Sequence, residues 1–221
     1  MIIFINELFL VAHKPNDINF HSEGEAGFIA MLSKNLNTPL FPVHRLDKMT
    51  SGLLLIARSS EIAALFGEMF EKRQVEKYYL ALSLRKPKKK QGWIKGDMEK
   101  SRRGSYKLLT THNNPAITQF ISASVGPHQR LYLIKPHTGK THQIRVALKS
   151  IGSAIAGDQR YAHKDEAVKE DRGYLHAYGL RFVLLGKSYS FVEAPISGKR
   201  FLESLTQEQI LHWKEPWSFF K

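Results

Sequence analysis

No cysteine occurs among the 221 residues. Disulfides, thiolate metal sites and a cysteine nucleophile are therefore excluded, and a reducing cytoplasm fits. No run of 18 apolar residues occurs either, so no transmembrane helix is expected. The apolar start, Met1-Ile2-Ile3-Phe4-Ile5, has no basic flank and is interrupted by Asn6-Glu7. That is unlike a signal peptide and reads as two short strands joined by a turn. Acids are scarce: 20 Asp and Glu stand against 33 Lys and Arg, a net charge of +13. Such a balance favours a polyanionic partner, and RNA, DNA or an anionic surface each satisfies it. Gly139-Lys140-Thr141 lacks the glycine five residues earlier that a phosphate loop requires; Ile134 stands there. Nucleotide-triphosphatase chemistry is excluded on that ground. His137 and His142 lack the spacing and the acid partner of a metal site, so no metal and no other cofactor is expected.

What is present suffices for one globular domain, with 43% hydrophobic residues over 1–221. The stretch His44-Arg45-Leu46-Asp47-Lys48-Met49-Thr50-Ser51-Gly52 leads into the apolar run Leu53–Ala57, which reads as a buried strand. One carboxylate between cationic neighbours at the mouth of such a strand suits a single rigidly held acid. Alone, the pattern fits better a strand-entry loop whose aspartate makes a local turn bond.

Pro15-Asn16-Asp17 predicts a turn, and Glu23 to Leu36 a weak helix with Phe28, Leu32 and Leu36 spaced by four. Ser60 is read as the cap of a helix whose Ile62, Leu65, Phe66, Met69 and Phe70 form a core stripe. Residues 75–84 alternate as a strand, which places Lys77 and Tyr79 on one face. Between 85 and 107 stand ten bases and two acids with Trp93 and Tyr106 interleaved, and Gly92, Gly96 and Gly104 break up regular structure. This reads as a flexible phosphate-contacting arm. Strands are expected over Ala116–Val125, Arg130–Lys135, Leu175–Leu185 and Ser188–Ala194, with a polar loop at 163–172 and a helix near Thr206–Lys214. Thr141 is read as capping a short helix that buries Ile144, Leu148 and Ile151 and carries a cationic stripe of His142, Arg145 and Lys149. Consecutive strands without intervening helices argue an α+β fold with a mixed, largely antiparallel central sheet flanked by helices.

The motif at 44–53 and Thr138-Gly139-Lys140-Thr141-His142-Gln143-Ile144-Arg145 together resemble the RluA-type RNA pseudouridine synthase family. The family's usual arginine is replaced by Lys140. Lys77-x-Tyr79-x-Ala81, Ile155-Ala156-Gly157-Asp158 through Tyr161, and Leu175-His176-Ala177 add to the likeness, which is collinear from about residue 10 to 195. The early Lys14-Pro15 element lacks the family's glycine, since Asp17 stands in its place.

The resemblance implies the pseudouridine synthase catalytic fold as a single domain, with no separate N-terminal RNA-binding module. It implies an isomerase that detaches uracil from ribose at nitrogen and rejoins it at carbon five, without metal or cofactor. The implied catalytic residues are Asp47, Arg145 paired with it, and Tyr79 stacked on the uracil. Arg45 would fill the place vacated by a flipped-out base. His44, Thr50, Lys140 and His142 would meet the substrate, and Lys88, Lys89, Arg102 and Arg103 would hold its phosphates. The implied partner is structured RNA, ribosomal or transfer, met by a cytoplasmic monomer. A hydrolase would instead need a second acid or a histidine pair beside Asp47, and a non-catalytic RNA-binding protein would have lost one of the three.

Overall fold

The computed structural model describes residues 1–20 and 26–220. Strands β1 (Ile2–Ile5) and β2 (Phe9–Lys14) pair antiparallel across the expected turn, where Asn6 Oδ1 accepts from the amides of Leu8 and Phe9 at 2.9 Å. Asp17 then takes a left-handed φ of 63°, as the Pro-Asn-Asp turn requires. Helix α1 (Phe28–Leu36) is shorter than expected; it starts after Gly27, and residues 23–25 of the expected span lie outside the described residues. A short strand β3 (Phe41–Pro42) leads through the 44–50 loop into β4 (Ser51–Ala57), every residue of which is buried.

Helix α2 (Ser60–Glu71) is capped one residue earlier than expected. Ser59, in extended conformation, accepts from the Ile62 amide at 3.3 Å, while Ser60 is already helical. Ile62, Phe66 and Met69 are buried as the stripe requires; Leu65 lies at its margin, 38% exposed.

Next come β5 (Glu76–Ser83), β6 (Gly92–Gly96), and the hairpin β7 (Met98–Lys100) and β8 (Tyr106–Leu108). The expectation of a flexible arm is corrected here: its glycines punctuate strands. β6 pairs along β9 (Ala116–Gly126), and β7–β8 docks on a later loop. The chain continues with β10 (Gln129–Pro136), α3 (Gln143–Ser150) and a short α4 (Lys164–Ala167) inside the expected polar loop. It ends with β11 (Leu175–Leu184), β12 (Lys187–Val192), α5 (Ser204–His212) and a 3-10 turn at Pro216–Phe219.

The ten-stranded sheet runs β1-β2-β4-β11-β5-β10-β9-β6, with β3 on β4 and β12 on β11. All pairings are antiparallel except β4 with β11. One edge of β11 follows β5; the other is shared, its start lying parallel to β4 and its remainder pairing β12. At the parallel contact Gly52 has φ +106° and faces Ala177, and a Cβ there would come within 2.3 Å of the Ala177 carbonyl oxygen. Only glycine lets these two backbones approach so closely.

Both faces of the sheet are covered, which is why β2 and β4 read as continuous apolar runs. Phe9, Val11, Leu53 and Leu55 pack under α2, and Leu10, Ala12, Leu54 and Ile56 face α1. Around β5 and β10 a third cluster gathers α3, α5 and the C-terminal aromatics. Alternation along β5 sends Tyr78 toward Phe220, centroids 5.8 Å apart, and sends Lys77 and Tyr79 into the cavity described next.

Candidate active site

A cavity of about 660 Å³ opens where the 44–50 loop, the start of β5 and the 138–145 segment converge. Asp47, Tyr79 and Arg145 all line it, together with His44, Arg45, Thr50, Lys140 and His142. A second cavity, of about 1090 Å³, shares Arg45, Leu46, Asp47, His142 and Arg145 with the first and extends past Arg102, Arg103 and Arg160. Asp47 therefore stands where the first cavity meets a basic groove.

The loop bearing Asp47 is held from below. Lys14, at the end of β2, is fully buried, and its Nζ donates to the carbonyls of Pro15 (2.9 Å), Lys48 (3.2 Å) and Thr50 (2.9 Å). The amide of Thr50 donates to Asp47 O at 3.0 Å, and that of Asp17 to Lys48 O at 2.8 Å. Burial lowers the Lys14 pKa to about 8, with the charges of Asp17 and Asp47 opposing the shift. Thr50 is 1% exposed, and its Oγ1 has no hydrogen-bond partner among the described residues.

Asp47 receives Arg145 Nη1 at 2.9 Å. The same guanidinium gives Nε and Nη2 to the two oxygens of Asp158, at 2.8 and 2.9 Å, and Asp158 is fully buried. Asp158 Oδ1 also accepts the amides of Arg160 (3.0 Å) and Tyr161 (3.1 Å), which fixes it to its own turn. Burial works against the Arg145 charge, but the hydrogen bonds and charges of Asp158 and Asp47 outweigh it and raise its pKa. The Tyr161 ring lies under the guanidinium, 5.0 Å from its carbon.

The expected cap and stripe of α3 are both corrected. His142, not Thr141, is the residue before the helix, in left-handed conformation (φ 57°) and without a side-chain cap. The loop is organised instead by Gln143, whose Oε1 accepts from Thr138 Oγ1 (2.7 Å) and the Lys140 amide (3.0 Å). Of the expected cationic stripe only Lys149 is exposed, while Arg145 is buried. The three residues meet at Tyr161: His142 Nδ1 lies 2.9 Å from its hydroxyl, and Lys149 Nζ is 5.6 Å from its ring.

His44 uses Nε2 to accept the Leu55 amide at 3.0 Å, and burial, followed by the nearby Lys77 charge, lowers its pKa to about 3. It is a neutral, structurally committed imidazole. Tyr79 is held as the neutral phenol, because burial and then the Asp47 charge push its pKa upward. Lys140 Nζ donates to Asn114 Oδ1 at 2.8 Å.

The basic segment divides. Arg102 and Arg103 line the groove, whereas Lys88 and Lys89 line neither of these two cavities. The Lys88 amide donates to Ile151 O at 2.8 Å, and Lys89 Nζ donates to Trp93 O at 2.6 Å. Sequence reasoning missed Lys14, Asp158 and Tyr161 as site-building residues. The available signals were a lysine ending an apolar strand and the Gly-Asp turn at 157–158. Among the described residues no cluster of three or more His, Asp or Glu side chains is arranged to hold a metal ion, and no helix is long and apolar enough to cross a membrane.

A family profile described as RNA pseudouridylate synthase matches residues 8–150. An uncharacterized RNA pseudouridine synthase of Haemophilus influenzae is 46% identical over 211 residues, covering 95% of this chain and 93% of that protein. The ribosomal large subunit pseudouridine synthase C of Vibrio vulnificus is 30% identical over 191 residues, covering 82% of this chain and 61% of the relative. Among solved structures, human RNA pseudouridylate synthase domain containing 1 has the same fold, with a TM-score of 0.76 at 24% identity over 96% of this chain and 94% of that one. The chain belongs to the RNA pseudouridylate synthase family, and the enzyme is an isomerase.

Proposed function

We propose that this enzyme isomerises uridines in structured RNA, ribosomal RNA foremost, with Asp47 as the catalytic carboxylate acting on a flipped-out nucleotide. The observation that carries this reading is the Asp47–Arg145–Asp158 chain at the wall of a cavity that Tyr79 also lines. Arg145, locked on Asp158, fixes the rotamer of Asp47 and leaves its other oxygen open to the substrate. Tyr79, a neutral phenol, supplies a stacking surface for uracil. His142 and Lys140 line the same space, and Thr50 lies in its wall with its hydroxyl buried. Arg45 is exposed and lines both cavities, which places it to fill the gap left in the RNA stack. Arg102 and Arg103 in the groove take phosphates of the same RNA.

A hydrolytic reading finds little support in the same cavity. Glu76, also in its wall, is bound to Lys135 Nζ at 2.6 Å and to the Tyr78 hydroxyl at 2.8 Å. His44 and His142 are committed to the Leu55 amide and the Tyr161 hydroxyl. The test is tritium release from RNA labelled at uracil carbon five, with Asp47→Ala alongside. Binding without release by the unmutated enzyme overturns the isomerase reading, and release by Asp47→Ala overturns the role of Asp47. Pseudouridine maps of cells with and without the gene identify the RNA.

A further inference from the structure

The first cavity contains a half-buried cation that the roles above leave unused. Lys77 lines it on the same face of β5 as Tyr79. Its Nζ lies 5.1 Å from the Phe70 ring centroid, and a Cβ built on Gly139 would come within 3.9 Å of it. The ammonium therefore sits against the 138–140 loop, beside the neutral His44. Among the described residues it has neither a hydrogen-bond acceptor nor an acid within ion-pair distance. The other lysines of the wall are engaged, Lys135 with Glu76 and Lys140 with Asn114. Arg45 and Arg73 are exposed and keep their water. Burial alone lowers the Lys77 pKa, with no group acting to raise it.

A half-buried ammonium without a counter-charge has given up part of its hydration with nothing in return, and methionine would pack on Phe70 equally well without that cost. The charge makes physical sense if an anion arrives from outside. Asp47 cannot serve, since it is bound to Arg145. The anions of RNA are its phosphodiesters; a uracil carbonyl would offset only part of a full charge. Lys77 and Tyr79 are one strand repeat apart, about 7 Å, so a base stacked on Tyr79 leaves its flanking phosphate within reach of the lysine.

We propose that Lys77 forms a phosphate subsite inside the first cavity, taking a phosphodiester group that flanks the flipped nucleotide. The assignment rests on the isomerase reading above and adds a specific contact to it. The probes are uridine, uridine 5′-monophosphate and uridine 3′-monophosphate, titrated calorimetrically against the unmutated enzyme, Lys77→Met, Lys77→Arg and the rim control Arg73→Met. One monophosphate is expected to bind the unmutated enzyme about 10-fold or more tightly than uridine. Lys77→Met should abolish that preference without changing uridine affinity, Lys77→Arg should keep most of it, and Arg73→Met should change it by less than about twofold. The monophosphate that shows the preference identifies the side of the nucleotide.

Equal weakening of uridine and monophosphate by Lys77→Met would mean a base or packing contact and overturns the subsite, as does a preference that survives the substitution. Should Lys77→Met fail to fold, the Lys77 ε-methylene resonance of the unmutated enzyme decides: it shifts with the monophosphate and not with uridine, and no such shift overturns the subsite. Tritium release by the same preparation reports the isomerase reading separately. Release without a Lys77-dependent phosphate preference overturns the subsite alone.

Discussion

Arg145 is shared by two carboxylates that differ in every physical respect, and their substitution should separate stability from activity. Asp158 is fully buried, binds the guanidinium through both oxygens, and also holds the amides of Arg160 and Tyr161. Asp47 has 23% of its side chain exposed and makes one bond to Arg145. Asp158→Asn keeps an acceptor for the two amides but turns an NH₂ toward a guanidinium that is 8% exposed. Removing one partner of such a buried pair leaves an uncompensated charge and costs about 3–5 kcal/mol. For a chain of this size that is a fall in Tm of about 6–20 °C. Asp47→Asn leaves the Asp158 clamp intact and removes a partly solvated charge, so its cost should stay within about 1.5 kcal/mol. Activity should follow the opposite order. Asp47→Asn removes the carboxylate proposed to react and should reduce tritium release to background. Asp158→Asn only frees Arg145 to tilt, and a displacement of about 1 Å at Asp47 is worth about 10²-fold in rate. Urea unfolding and tritium release on the same two variants check both orders. Equal destabilisation by the two substitutions, or a full rate in Asp158→Asn, would refute the division of labour.

Other outcomes follow from the same geometry. His176 is fully buried; its ring accepts from Ser51 Oγ (2.8 Å) and donates to Glu193 O (2.8 Å), and burial holds its pKa at about 3. Between pH 6.5 and 3 the unfolded chain binds a proton there that the fold refuses, so stability falls with pH by about 1.4 kcal/mol per unit. His176→Gln should flatten the difference between unfolding free energies at pH 7.5 and 5.5 by about that amount, and an unchanged slope counts against a neutral His176. Neutralising Arg102 and Arg103 together should weaken RNA binding and reduce its salt slope by about two, while neutralising Lys88, Lys89 and Lys90 should change it less. Filter binding across a salt series compares the two, and the reverse order would move the RNA path to the β6 edge. Gly52→Ala should prevent folding, read as loss of soluble cooperative unfolding, because its Cβ has no room beside Ala177 O.

The aspartate, the strand behind it and helix α2 were legible in the sequence because each depends on neighbours within a few residues. Apolar periodicity marks α2 and β4, and the spacing of Lys77 and Tyr79 puts them on one face whatever the strand pairs with. The cap of α2 was misplaced by one residue, since adjacent serines offer equivalent hydroxyls and only the backbone of Ser59 is extended. The basic segment read as a flexible arm because glycines and charges depress strand propensity; its pairing with β9 comes from another part of the chain. The partition of its charge, Arg102 and Arg103 in the groove and Lys88 and Lys89 outside, follows from where that pairing ends.

What the sequence determined by itself is the set of candidate groups: one acid in a charged loop, one tyrosine beside a lysine, and a surplus of cations suited to an anionic partner. What only the tertiary structure decided is how they are made to work together. The pair formed by Asp47 and Arg145 spans 98 positions, and the Asp158 clamp and the Lys14 brace likewise join separate segments. Periodicity reports which face of an element a residue occupies. It cannot report which distant face lies opposite, and buried charges are stabilised only by what lies opposite them.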